Sequence, residues 1–142
     1  MSVLSKAVRG SVAGVAATSA MTTYMIALER LGVMRAQPPR MIVDRVAPDL
    51  SEPAANAAAG VSHAAYGALA GAAFAQLASG RAHAPALGIV YGLVLWVAGY
   101  EGWVPVLGAL PPAHRDRPAR VGTMLTAHLL YGYVLGRQLG RR

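Results

Sequence analysis

The sequence predicts an all-α membrane protein, with four transmembrane helices arranged as two similar helical hairpins in one domain, residues 1–142. Three observations predict it. Charge is too scarce to cover a soluble surface, four apolar stretches are each long enough to cross a bilayer, and an ordered set of motifs occurs twice.

Of the 142 residues, 55% are apolar and 13% are charged, whereas a soluble surface carries about 25–35% charged residues. No cysteine is present, which removes disulfides and thiolate metal sites. The net charge of +7 would suit nucleic acid, but the basic residues sit at the termini and in loops without interleaved aromatics. Membrane lipids are therefore the expected partners, and nucleic acid is not.

A hydrocarbon core takes about 20 helical residues. The first candidate span, GSVAGVAATSAMTTYMIAL (10–28), follows Lys6 and Arg9. It runs past the ATSA site and is too long for a signal-peptide core, so it reads as an uncleaved helix. After it, PRMIVDRVA (39–47) sets Ile42, Val43 and Val46 among Arg40, Asp44 and Arg45, the pattern of a short interfacial helix. The second span (54–79) is mostly alanine and glycine; the third (85–103) opens at Pro85 and the fourth (121–139) follows Pro118. Proline in a first helical turn sacrifices no hydrogen bond. Lys/Arg counts nearly balance across the predicted membrane, and acids (Asp44, Asp49, Glu52, Asp116) dilute one side only. Cytoplasmic termini are expected on that ground.

The repeated motifs run in one order. Gly10-x-x-x-Gly14, Glu29, Leu31-Gly32, Pro38-Pro39 and an arginine precede His63, Tyr66, Gly67 and Gly71. Gly88-x-x-x-Gly92, Glu101, Leu107-Gly108, Pro111-Pro112 and an arginine precede His128, Tyr131, Gly132 and Gly136. This order reads as a duplicated two-helix unit, about 10–80 and about 85–140, its halves related by a pseudo-twofold along the membrane normal. In each H-x-x-Y-G-x-x-x-G, positions i, i+3 and i+4 share one helix face, and the eight glycines suit close helix packing in lipid.

Ionisable residues within spans are the candidate site. They form an expected cluster of His63, Tyr66, His128, Tyr131, Glu101 and Glu29, with Glu101 level with His128 and Glu29 with His63. The cluster reads first as helix-fastening hydrogen bonds. Two alternatives are a His/Glu relay carrying protons, ions or a small solute, and a b-type haem held by His63 and His128. Apart from that haem, no cofactor or metal is expected. G-x-S-x-G, H-E-x-x-H and paired carboxylates are absent, Ser62 faces away from His63, and His83 and His114 fall in loops. The expected function is non-enzymatic, in a homo-oligomer or as an accessory subunit of a membrane complex.

The segment VPVLGALPPAHRDRPARVGTMLTAHLLYG (104–132), with Pro105, Gly108, Pro111, Pro112, His128 and Gly132, resembles the C-terminal signature of YagU-like bacterial inner-membrane proteins. VSHAAYGALAGAAF (61–74) is similar to an earlier histidine-bearing span of that group. The resemblance covers about half the chain. It implies an inner-membrane address and a four-helix plan, and no reaction.

Overall fold

A computed structural model of the chain describes residues 1–78 and 81–140. The last residue of the expected second span, the end of the first repeat and the C-terminal Arg141 and Arg142 lie outside the described residues. Everything regular among the described residues is helical. The helices are α1 (Val3–Arg30), α2 (Pro38–Val46), α3 (Glu52–Ala78), α4 (Ala84–Val97), the one-turn α5 (Val104–Val106) and α6 (Pro118–Gly140). A π-helical segment, Ala98–Trp103, joins α4 to α5, and a 3₁₀ turn, Ala113–Arg115, precedes α6. The third predicted span thus changes its winding at Ala98 and kinks at Gly102, whose φ of −106° and ψ of −108° are not helical.

Sequence decides where these helices stop. Ser2 caps α1 by accepting from the Ser5 N–H at 3.1 Å. At the other end Leu31, Gly32 and Val33 donate to the carbonyls of Ala27, Glu29 and Leu28. After α5, Leu107, Gly108 and Ala109 donate to those of Trp103, Pro105 and Val104 in the same pattern. Both are Schellman caps, which need a left-handed residue; Gly32 (φ +75°) and Gly108 (φ +70°) supply it without a Cβ clash. The repeated Leu-Gly is therefore a repeated helix stop.

Glycine carbonyls set the pairing of α1 with α3 and of α4 with α6. A Cβ on Gly10 would meet the Gly71 carbonyl oxygen, and one on Gly14 that of Gly67. In the second pair, Gly88 abuts the Gly132 carbonyl and Gly92 that of His128. Aligning the H-x-x-Y-G motifs therefore superposes Gly88 on Gly14, not on Gly10 as the motif order suggests. The second hairpin is slipped by one helical turn, about 6 Å over four residues.

The hairpins join asymmetrically. α1 and α6 pack along much of their length, whereas α3 and α4 meet sparingly. Their contact centres on Tyr91, whose hydroxyl donates to the Ala70 carbonyl at 2.9 Å and whose ring lies 5.0 Å from that of Phe74. Met21, Met25, Phe74, Met124, Leu135 and Leu139 fill the shared core. α2 packs Val43 against Ala55 and Ala59 of α3, close to the 39–47 segment expected to be helical.

Two helical stretches, Val3–Arg30 and Ala84–Val106, are long and apolar enough to cross a membrane. Only 33% and 22% of their most apolar windows are buried inside the protein. α3 and α6, with 27 and 23 residues, extend about 40 and 34 Å. Their lengths suffice, but alanine, glycine and internal polar groups such as His63 and His128 dilute their apolarity.

Candidate functional site

The sparing contact between α3 and α4 leaves a cavity of about 270 Å³ on the side where α2 and the 107–117 loop lie. Its walls are mainly apolar: Met21 of α1, Ile42 of α2, Ala70 of α3, Leu95 of α4, Leu110 of the loop and Met124 of α6 are representative. His63 and His128 both line it, as do Tyr66 and Tyr131. Four of the six polar residues singled out in the sequence are thereby brought to one space.

Each histidine is held through Nδ1. His63 Nδ1 lies 3.2 Å from Thr22 Oγ1 across the α1–α3 contact. His128 Nδ1 lies 2.8 Å from the Met124 carbonyl one turn back on its own helix. Neither Nε2 has a partner among the described residues, nor is either an occluded, unsatisfied atom. The two tyrosines differ more. Tyr131 is buried, and its hydroxyl donates to the Gly67 carbonyl on α3 at 2.8 Å. Tyr66 is 40% exposed and sits on the cavity rim, its ring 6.1 Å from that of Trp103, also 40% exposed.

The glutamates do not join them. Glu101 points to His114, with Oε2 3.2 Å from Nδ1, and Glu29 accepts from Gln37 Nε2 at 2.6 Å. Expecting Glu101 level with His128 assumed a straight third helix. The π-helical winding from Ala98 instead turns Glu101 outward, and Tyr100 and Trp103 face the cavity. Glu29 sits one turn before the Schellman cap, where it meets the loop rather than His63.

Sequence reading missed the group that holds the cavity floor. Asp116 Oδ2 accepts from Tyr100 Oη at 2.5 Å and from Arg120 Nη1 at 3.2 Å, and Oδ1 accepts from the Arg117 N–H at 2.6 Å. The Asp116 and Arg120 side chains are only 3% and 12% exposed. The i, i+4 spacing of Asp116 and Arg120 around Pro118 was the available signal. Trp103 and Thr22 were missed as well, and only the turn-by-turn recurrence of Thr18 and Thr22 hinted at the latter. Among the described residues no three His, Cys, Asp or Glu side chains converge as metal ligands do.

These features define a helical bundle with a side-opening apolar cavity that presents two imidazole nitrogens. Residues 4–142 match a family of unknown function, DUF6789, and the chain belongs to that family. No curated protein and no solved structure matches it.

Proposed function

We propose that this is a four-span, non-enzymatic integral membrane protein that holds a small apolar molecule in the cavity between its two hairpins. Support for the membrane setting comes from helices that are apolar yet mostly unburied. Leu87, Ile89, Val90, Leu93, Val94 and Val97 form an exposed apolar face along α4, larger than a water-facing surface tolerates. The YagU-like signature supports a bacterial inner-membrane address, and the one-sided acids Asp44, Asp49, Glu52 and Asp116 favour cytoplasmic termini. α2, amphipathic and seated across the start of α3, suits the interface.

The observation that carries the binding reading is the cavity itself: apolar walls, few polar groups, and two histidine nitrogens without protein partners. Separation of Glu29 and Glu101 from the histidines takes the acids out of a His/Glu relay. Bis-histidine haem would use the same two nitrogens, but the space between the hairpins favours one substituted ring over a macrocycle. The unburied Gly/Ala and valine faces leave room for self-association or a larger complex around the same site.

Extraction in mild detergent, followed by mass spectrometry of the organic-soluble fraction, tests the binding reading. A stoichiometric apolar small molecule that His63→Phe/His128→Phe fails to retain is expected; identical extracts from both proteins would refute it. Because the chain has no cysteine, single introduced cysteines report topology cleanly. Four spans require positions 48 and 109 to share a side, and positions 1 and 82 to share the other, for an impermeant maleimide.

A further inference from the structure

The two histidines offer the cavity different hydrogen-bonding edges. A carbonyl only accepts, so His128 Nδ1 is the donor to Met124 O. No carboxylate lines the cavity to balance an imidazolium, and the neutral ring then carries its single proton on Nδ1. Its Nε2 is left as a bare acceptor facing the cavity.

His63 is the reverse. Thr18, Ser19 and Thr23 each donate their hydroxyl to the carbonyl four residues back, but Thr22 makes no such bond. Its hydroxyl proton has one acceptor in reach, His63 Nδ1 at 3.2 Å. With Nδ1 accepting, the neutral His63 ring carries its proton on Nε2 and presents a donor. The two rings thus set one donor and one acceptor among mainly apolar walls, with the Ser62 and Tyr66 hydroxyls out at the rim. A hydroxyl satisfies both at once, since its oxygen accepts and its proton is donated. An ether, ketone or ester oxygen can answer only His63.

Size and outlet narrow the ligand further. An apolar cavity of about 150 Å³ accommodates benzene, so about 270 Å³ takes one substituted ring and little more. The rim is formed by exposed Ser62, Tyr66 and Trp103, on α3 and the π-helical segment. α3 and α4, which runs into the π-helical segment, are splayed here and carry exposed apolar residues on their outer faces, among them Leu69, Val94 and Val97. A chain attached to the ring leaves there, onto a surface that suits hydrocarbon.

We infer that the cavity binds a neutral hydroxyl-bearing ring, a phenol or quinol with an apolar tail, its hydroxyl bridging His63 Nε2 and His128 Nε2 and its tail passing between Tyr66 and Trp103. This rests on the binding reading proposed above and adds the chemical class of the ligand.

The test uses the full chain carrying Trp96→Phe in detergent, with Trp103 as the remaining fluorophore, titrated with 4-heptylphenol and its methyl ether 4-heptylanisole. Saturable quenching with about tenfold preference for the phenol is expected, the value of one well-made hydrogen bond. His128→Phe should weaken the phenol alone and bring the two within about twofold. His63→Phe should weaken both probes equally and keep their ratio, because both oxygens accept. Each variant must elute in detergent as the parent does, and leucine replaces phenylalanine at either position where it does not. Equal binding of phenol and ether by the parent, or a preference that survives loss of His128, overturns the hydroxyl assignment and leaves the cavity reading intact. Absence of saturable quenching by either probe overturns both.

Discussion

The hairpin of α1 and α3 and that of α4 and α6 carry the same parts and use them differently. Both stack glycine backbone on glycine backbone, and both end their outgoing helix in a left-handed glycine. The first then builds a nine-residue helix, α2, that opens on its Pro-Pro; the second makes only a 3₁₀ turn after its own. The slip between them has a local cost. From the glycine that meets the Tyr-Gly carbonyl to the capping glycine is 18 residues in the first hairpin (Gly14 to Gly32) and 20 in the second (Gly88 to Gly108). The surplus is absorbed where the chain winds as a π-helix, a device that recurs beside functional sites. There it swings Tyr100 and Trp103 to the cavity. Small changes of register in one half of a repeated plan thus turn a packing contact into a pocket.

Breaking the loop side of each hairpin should separate them most. Asp116→Ala would leave Arg120 buried without its carboxylate and is expected to cost about 3–5 kcal/mol, read from the midpoint of thermal or SDS unfolding. Its first-hairpin counterpart, Asp44, pairs with Arg40 in the open, and Asp44→Ala should cost at most about 0.5 kcal/mol. Comparable losses would mean that the loop of hairpin two is not what holds the cavity floor.

The glycine ladders come next. Gly132→Ala places a methyl against the Gly88 carbonyl, and about 1–3 kcal/mol of destabilisation is expected. Gly67→Ala meets the Thr18 hydroxyl first, so Thr18→Ala should recover at least half of its cost in a double-mutant cycle. The second hairpin offers no such relief, because Gly92 already stands where Thr18 does. Gly60→Ala and Gly122→Ala, facing open space, serve as controls that should unfold with the parent.

At the helix stops the hairpins should differ little. Gly32→Ala and Gly108→Ala each force an L-residue into the left-handed region, at about 1–2 kcal/mol. A Cβ at Gly108 also meets Arg45 Nε, whereas one at Gly32 faces open space, so a somewhat larger loss at Gly108 is expected. No loss at either site would show that cap to be dispensable. The smallest effect separates the tyrosines. Tyr131→Phe gives up the bond to Gly67 O, at about 0.6 and at most about 2 kcal/mol, and Tyr66→Phe, exposed on the rim, should change nothing in the same unfolding assay.

Much of the helical plan was legible because it depends on local features. Pro85 and Pro118 stand in first turns and the apolar runs fix the long helices, whereas the repeated Leu-Gly showed itself as a helix stop only in the caps. Register was not legible, since glycines four residues apart look identical after a slip of four. For the same reason the histidines and tyrosines could be placed on faces while their partners could not. His63 reaches Thr22 on another helix, and His128 turns back on its own. Glu101 was misplaced because Gly99 and Gly102, the one signal in AGYEGW for a change of winding, look no different from the packing glycines elsewhere in the chain. Asp116 passed for a solvated loop acid, its burial depending on a tyrosine sixteen residues away.

The ladders also dictate how the molecule can move. Helices seated glycine on glycine fit again only after a full turn, so neither hairpin can yield by an ångström or two to widen the pocket; it behaves as a rigid plank. No glycine of α3 meets α4, nor the reverse, and that seam is held chiefly by Tyr91 on Ala70 and Phe74. Widening is therefore a hinge motion with Tyr91 near its pivot, and the rate at which a guest enters or leaves reports on that one tyrosine rather than on the histidines that would hold it.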